Sequence, residues 1–255
     1  MAVTGEPHPA LRGSVARYVG FREEAHEPLE RREGPGCHVV VIVSFGEEWS
    51  IDGEPLTSFA GGLRDRQVTT RHDGRSHGIH VDLVPAAAHR IFGLPLRDLA
   101  YAQLPLEELL DEPSLAERLA AASRWDARFR LLDAVFASRL EDAPPRSPEV
   151  DWAWRSLIES GGNLRVTRIA DRLGWSRKRL AARFAEEVGV PPKTVARIAR
   201  FERARTLAEA PHRPDWARVA AECGFYDQSH LINESRAFTG RTPETFFQDS
   251  FAAAA

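Results

Sequence analysis

Two groups of polar side chains stand about fifty residues apart in this chain of 255 residues. The first is Ser176-Arg177-Lys178-Arg179, with Arg183 one helical turn further on. The second is Gln228-Ser229-His230, with Asn233 placed in the same way. Guanidinium, ammonium, amide and imidazole groups spaced like this can pair with base edges and phosphate oxygens of a nucleic acid. A third group has different chemistry: His72, His77, His80 and His89 lie close in sequence, and His80-Val-Asp82 would put an imidazole and a carboxylate on one strand face. Two histidines and a carboxylate in that geometry can hold iron. The His-x-His…Glu pattern of metal-bearing β-barrels is absent, however, so neither a metal nor another cofactor is expected. The two cysteines, Cys37 and Cys223, are single and far apart, which excludes a disulfide framework and a four-cysteine zinc site.

The elements that would position the first two groups are one unit written twice. Ile169-Ala-Asp-Arg-Leu-Gly-Trp175 is answered by Val219-Ala-Ala-Glu-Cys-Gly-Phe225. After a one-residue insertion at Tyr226, Leu180 answers to Leu231, Gly189 to Gly240, Pro192 to Pro243 and Thr194 to Thr245. Such self-similarity is the first thing to seek, because it sets the fold. In each copy the apolar spacing predicts a short amphipathic helix, Val166–Leu173 and then Trp216–Cys223. Gly174 and Gly224 suit the left-handed residue that ends a helix. Ser176 and Asp227 are N-cap candidates for a second helix in each copy. That helix carries Leu180 and Phe184 inward in the first copy and runs over Gln228–Thr239 in the second. Helix, glycine turn and capped polar helix is the helix-turn-helix pattern, whose second helix enters the major groove. Thr194–Ala210, with Val195, Ile198, Phe201 and Leu207 inward and Arg197, Arg200, Arg203 and Arg205 outward, is expected to be a stiff connector stopped by Pro211–Pro214. Pro191-Pro192 is expected to close the first recognition region.

These residues resemble the AraC/XylS family of bacterial transcription regulators, whose DNA-binding domain is two helix-turn-helix modules on a long helix. The family's second module usually reads Gly-Phe-x-Asp-Gln-Ser-x-Phe-x-Arg-x-Phe, then Gly-x-Thr-Pro and an aromatic. Here it is Gly224-Phe-Tyr-Asp-Gln-Ser-His-Leu-Ile-Asn-Glu-Ser-Arg236, then Gly240-Arg-Thr-Pro243 and Phe246-Phe247. The likeness covers about the last hundred residues. It implies base-facing positions at Lys178, Ala181 and Ala182, where the two alanines could meet thymine methyl groups. In the second copy it implies Gln228, Ser229, His230 and Asn233. Asn233 stands where arginine is usual and Ser235 where phenylalanine is usual, so the second module should add less affinity than the first.

Charge agrees with that division. Residues 1–145 carry a net −7, Arg165–Arg205 carries +8, and residues 206–255 carry −3. Cations supply most of the sequence-independent affinity for DNA, so the first module and its connector should dominate it. An acidic N-terminal half would not itself approach DNA.

In that half, Leu11–Phe21 is an alternating lead-in, followed by a charged stretch expected to be a loop. Cys37–Phe45, Trp49–Ile51, Phe59–Leu63, Gln67–Thr70 and Ser76–Val84 are expected strands, with Asp52-Gly53 a hairpin turn. Close-spaced short strands suggest a small antiparallel barrel or sandwich. Helical segments follow at Ala86–Phe92, Ser114–Ala121 (capped by Ser114) and Arg124–Leu140, and Leu99–Leu110 carries leucines around a turn. The last could bury its apolar face on its own domain, on a second subunit, or on both. The family's sensor half, a small cupin-like β-barrel with dimerising helices, is similar in outline. Glu141–Pro148 is linker-like, and a further helix is expected at Asp151–Ser160.

The expected fold class is therefore α+β: an N-terminal small antiparallel β-barrel, cupin-like, with helices, followed by an all-α tandem helix-turn-helix domain. Residues 1–142 would sense an effector and dimerise, 143–150 would link, and 151–250 would bind DNA. The implied partners are double-stranded DNA and a small-molecule effector. A homodimer and contact with RNA polymerase stay open, as does a mere adaptor role for the first half. No membrane partner and no enzyme activity are expected. The N-terminus has no apolar signal core and no apolar run spans a bilayer, so a cytoplasmic, nucleoid-associated protein is expected. A repair methyltransferase fused to such a domain would need a reactive cysteine in another context than Cys37 or Cys223 provides.

Overall fold

The computed structural model describes residues 1–145, 147–208 and 214–247. Ten strands form two antiparallel sheets in the N-terminal half: β1 (Ala2–Gly5), β2 (Val15–Glu24), β3 (Leu29–Glu33), β4 (Val39–Ser44), β5 (Trp49–Ile51), β6 (Glu54–Leu56), β7 (Phe59–Gly61), β8 (Val68–His72), β9 (Arg75–Leu83) and β10 (Gln103–Pro105). The larger sheet has the order β1-β2-β9-β4-β7-β10 and the smaller β3-β8-β5-β6. Alternation along the central strands explains the layering. Val39, Val41 and Val43 of β4, with Ile79, Val81 and Leu83 of β9, are buried in the main core shared with the helices. Ile42 belongs to a separate cluster with Trp49, Ile51 and Phe59, on the opposite face, between the sheets. A strand covered on both faces reads as a continuous apolar run, which is why Val39–Ser44 has no polar alternation. The hairpin at Asp52-Gly53 forms, with φ of 50° and 97°.

Several sequence expectations change here. The lead-in Leu11–Phe21 contains most of a ten-residue strand, β2. The charged stretch after it holds β3, paired along its length with β8. Its charges are matched rather than loose, since Arg31 donates to both Glu23 oxygens at 2.7 Å. Neither β1 nor β10 was expected. Within Leu99–Leu110, Gln103–Pro105 pairs with β7 and α2 (Leu106–Leu109) is helical. Ser114 makes no capping hydrogen bond, because its backbone (φ −103°, ψ 14°) is not extended.

Three further helices cover the larger sheet: α1 (Pro85–Phe92), α3 (Leu115–Ala121) and α4 (Trp125–Asp142). On α4, Phe129 stacks on Tyr18 at 5.4 Å, and Phe136 and Leu132 are fully buried. The apolar face of α4 is thus occupied within its own chain. Trp125 lies flat over Gly20, where a Cβ would come within 2.3 Å of the ring. The α4 residue Arg128 is 8% exposed. Its guanidinium lies over Phe45 and Trp125 at 4.8 and 4.4 Å from the ring centres, and it donates to the Leu119 carbonyl at 3.0 Å. His77 faces this cation at 3.3 Å.

In the C-terminal half, α5 (Pro148–Glu159) begins three residues before the expected Asp151. Pro148 sits at its first position, and Ser147 accepts from the Val150 N–H at 3.4 Å. There follow α6 (Val166–Leu173), α7 (Arg177–Glu187), α8 (Pro192–Ala208), α9 (Trp216–Cys223) and α10 (Gln228–Thr239). Pro192 opens α8 instead of only closing the region before it, because proline suits the first turn. The expected helix end over 209–213, including Pro211, lies outside the described residues. Helices α5, α7, α9 and α10 all pack on α8. Among the described residues no helix is long and apolar enough to cross a membrane.

The two halves are in contact. Helix α7 packs on α1 and on the 3-10 turn Leu96–Asp98. Glu202 of α8 accepts from the Cys37 N–H at 3.2 Å.

The His77–Arg128 pair makes stability depend on pH. Burial, and then the Arg128 charge, push the imidazole below its ordinary value of 6.5. The unfolded chain therefore takes up this proton first as pH falls. The stabilisation is full above about pH 6.5 and declines as pH falls below it. Thermal melts between about pH 8 and pH 5 should show the loss, and His77→Gln should flatten part of it; an identical fall in the variant rejects this role.

Candidate nucleic-acid interface

Both copies of the repeat build the same turn, bond for bond. Gly174 and Gly224 are left-handed, with φ of 64° and 77°. The next residue in each copy closes the helix behind it: the Trp175 N–H donates to the Ala170 carbonyl and the Phe225 N–H to the Ala220 carbonyl, each at 2.9 Å. This is the Schellman closure, and it needs a residue free of Cβ strain at the glycine. At Gly224 space is a second reason, since a Cβ would fall 1.8 Å from Asn163 Oδ1.

The second helix of each copy is then capped as the side chains allow. Ser176 accepts from the Arg179 N–H at 3.1 Å. Asp227 accepts from the His230 N–H at 2.8 Å. The inserted Tyr226 is extruded between turn and cap and is 93% exposed. Leu180 and Leu231, the matching inward residues, are fully buried, as are Ile169 and Ala220 of the supporting helices.

The capped ends place the sequence-derived candidates as follows. Ser176, Arg177, Lys178, Arg179 and Ala182 are exposed, and Ala181 is half-buried. Lys178, Ala181 and Ala182 are three and four residues apart and so share one face of α7. Arg179 is stacked on Trp175 at 4.4 Å, which orders the guanidinium without neutralising it. Arg183 is different. It reaches Glu187 and Glu186 within its own helix, on the side where α7 meets the sheet half. Glu187 is itself 3% exposed, and burial pushes its carboxyl above the usual range, the Arg183 charge only partly opposing this. On α10, Gln228, Ser229 and Asn233 are exposed. His230 is half-buried: its Nδ1 accepts from the Tyr226 N–H at 3.1 Å, and its ring stands edge-on to Phe225 at 5.4 Å. It therefore holds the turn.

The connector arginines also divide. Arg203 and Arg205 are exposed, but Arg197 is not free. It donates to Asp65 Oδ2 at 3.0 Å and to both oxygens of Glu234 at 3.1 Å. Burial alone would lower its pKa, but the hydrogen bonds and charges of Glu234 and Asp65 raise it. The unusual Ser235 is fully buried and donates to the Arg241 carbonyl at 2.9 Å. Thr239 donates to the Ser235 carbonyl at 2.7 Å. The aromatic core of this region is supplied from elsewhere, with Phe201 in contact with Phe238 and Phe247, each at 5.3 Å.

The histidines of the N-terminal half do not converge. His72 lies 3.2 Å from Glu23, His77 meets Arg128, and His89 Nδ1 bonds the Leu94 carbonyl at 2.7 Å. His80 and Asp82 do share a face, at 2.8 Å, and Arg17 binds the other Asp82 oxygen at 2.7 Å. Burial alone would raise the Asp82 carboxyl, yet the His80 hydrogen bond and the nearby cations hold it well below the usual range. Among the described residues no three His, Cys, Asp or Glu side chains come together as a metal set. Cys37 is fully buried and burial pushes its thiol up; burial likewise pushes Cys223 up to about 11. Neither is a ready nucleophile.

The two capped helix ends carry exposed donors, with cations concentrated at the first, and such groups can pair with base edges and phosphates. Comparisons with known proteins agree. A helix-turn-helix domain family model matches residues 169–249. The HTH-type transcriptional regulator YbfI of Bacillus subtilis (strain 168) is 30% identical over 93 residues, covering 36% of this chain and 33% of that protein, so the match spans about a third of the relative's length. A structure of ToxT from Vibrio cholerae superposes with a TM-score of 0.53 at 12% identity, over 92% of this chain and 98% of that one. Another, of ToxT bound to an unsaturated fatty acid, gives 0.52 at 12% identity, over 95% and 96%. The C-terminal part of the chain carries a helix-turn-helix domain of the AraC/XylS type, and the chain shares the ToxT fold: antiparallel sheets, then helices.

The division of charge gives an expected ranking. In fluorescence-anisotropy titrations, Lys178→Ala should weaken DNA binding more than Asn233→Ala, and should reduce the salt slope by about one ion; the reverse order sinks the ranking. Ser235→Phe, although closer to the family pattern, should destabilise by about 1–3 kcal/mol through overpacking and the loss of a buried hydrogen bond. A raised Tm for that variant would show that the pocket has room for the ring.

Proposed function

We propose that this chain is a DNA-binding transcriptional regulator. Its two helix-turn-helix modules enter neighbouring major grooves, and its sheet half is a sensor for a small effector. The observation that carries this reading is the duplicated, identically closed and capped helix pair, whose exposed cations are Arg177, Lys178 and Arg179. Direct contacts come from Lys178, Arg179 and the small face at Ala181 and Ala182 in the first module, and from Gln228, Ser229 and Asn233 in the second. Ser176 acts through its cap, and Arg183 acts only when it leaves Glu187.

The sensor reading is supported by the shared fold with ToxT, structures of which hold an unsaturated fatty acid or (E)-4-(8-methylnaphthalen-1-yl)but-3-enoic acid. It is also supported by a cavity of about 450 Å³ between the two sheets of this chain, a size suited to a small organic molecule. The domain division goes with it: residues 1–142 sense and 151–250 bind DNA, with 143–150 between them, of which 148–150 already form the first turn of α5. A purely structural first half would leave such a cavity without a use. An enzyme is disfavoured because the cavity carboxylates Glu23 and Asp82 are held by Arg31 and by Arg17 and His80, and the buried thiols are inert. Contact with RNA polymerase belongs to the same reading.

The test is binding of the full chain to a random-sequence duplex over about 50–300 mM salt, followed by selection of preferred sequences. We expect affinity that falls steeply with salt. We also expect selected sites with two conserved blocks about 10 base pairs apart. Salt-independent binding, or a single short block, overturns the two-module reading.

A further inference from the structure

The cavity between the sheets has an apolar part and a polar part. Phe21, Ile42, Trp49, Ile51 and Phe59 supply the apolar walls. At the polar part stand four arginines of different character: Arg17, Arg31, Arg64 and, from α8, the exposed Arg205. Arg17 is paired with Asp82 and Arg31 with Glu23. Arg64 is the most buried, at 7% exposure, and no ion pair to it exists among the described residues. Its partners are neutral. It donates to the Ala102 carbonyl at 3.2 Å, and the Gln103 amide, turned so that its oxygen faces the guanidinium, accepts from both terminal nitrogens. Burial lowers its pKa, Asp52 opposing from a distance and Arg66 adding to the effect. A buried cation held only by neutral acceptors is costly, and an anion beside it would remove that cost.

Of the three residues that follow Arg64, Asp65 and Gln67 hold the C-terminal half. Asp65 pairs with Arg197, which also pairs with Glu234 of α10. Asp65 also accepts from the Tyr101 hydroxyl at 3.0 Å, and Arg66 lies over the same ring. The Gln67 N–H donates to the Phe238 carbonyl, in the last turn of α10, at 2.6 Å. Arg197 in turn lies over the Phe238 ring at 4.8 Å. Four consecutive residues thus run from the cavity wall to the second recognition helix.

We infer that Arg64 is the seat for the negative group of a small organic anion with an apolar body, a carboxylate or its like, and that the strap Arg64–Gln67 carries its occupancy to α10. This rests on the reading of the sheet half as a sensor. An anion on Arg64 draws the guanidinium from Ala102 and Gln103 towards the cavity. The neighbouring Asp65 then shifts against Arg197, and the pairing of Arg197 with Glu234 resets the position of α10.

Three probes of equal chain length separate head group from tail: decanoate, decanol and decyltrimethylammonium, titrated into the full chain by calorimetry. Decanoate should bind about tenfold or more tighter than decanol, the worth of one charge-assisted hydrogen-bond pair. Arg64→Gln should abolish that preference while keeping decanol binding, which shows that the cavity is intact, and Arg64→Lys should restore part of it. Decanoate should also change the affinity of the wild-type chain for duplex DNA by about fivefold or more. Asp65→Asn should keep decanoate binding and lose that change. Absence of anion binding, binding that ignores the head group, or a preference that survives Arg64→Gln overturns the seat. Coupling that survives Asp65→Asn overturns the strap. DNA binding without any probe is measured in the same series, so failure of the regulator reading itself is seen separately.

Discussion

The buried side of α8 is the constraint on which the C-terminal half depends. Val195, Ile198 and Ala204 have no exposed surface, and Phe201 has 2%. Helices α5, α7, α9 and α10 all pack on this helix, through a core in which Phe201 touches Phe238, Phe246 and Phe247. Neither module is large enough to bury its own apolar face, as is usual for units of this size. Each therefore takes its stability and its orientation from the same shaft. A shaft of 17 residues with both modules packed on it leaves little freedom in the spacing of the two capped ends.

The same helix also faces the sheet half. Its buried residues serve the C-terminal core, while Arg197 and Glu202 on its flanks reach Asp65 and the Cys37 backbone. Tight apolar packing on one side and polar, rearrangeable bonds on the other give a joint that keeps its internal geometry while its attachment can change. Interfaces of this mixed kind have two discrete arrangements more readily than apolar ones. The burial of Glu187 beside α1 and the 3-10 turn extends the polar attachment to the first module.

The tandem repeat was legible because small helical modules demand particular residues at particular places. A left-handed turn needs Gly174 and Gly224, and a capped helix needs Ser176 and Asp227. These demands are local, so they survive without knowledge of the fold, and the helix bounds followed. The central strands were legible for a similar reason: β4 is covered on both faces and so is apolar throughout. What stayed hidden is what depends on distant partners. β3 looks like a loop because its charges are matched by Glu23 on β2. β10 is three residues ending in a proline and exists only because β7 offers it an edge. Arg197 looked like one more solvent-facing cation on an arginine-rich helix; its tie to Asp65 joins residues 132 positions apart. Arg64 carries no local mark at all, since its meaning lies in the carboxylate it lacks.

Seen this way, the acidic character of the second module is a consequence of its attachment. Glu234 sits on α10 opposite Arg197, Asp227 caps the same helix, and Asp215 caps α9 through two N–H groups. These carboxylates hold backbone or connector and are not free to be replaced by the cations that would strengthen contact with phosphate. The first module has no such duty to its connector, and it carries its cations outward at Arg177, Lys178 and Arg179. In the function proposed above, affinity and control therefore fall on different copies of one duplicated unit. The first copy meets the sheet half where α7 packs on α1 and the 3-10 turn, whereas the second is tied to it at α10 through Glu234, Arg197 and Asp65. Under that proposal, a small free-energy change in the sheet half is set against the weaker of two contacts, where a modest bias is enough to change how many modules engage.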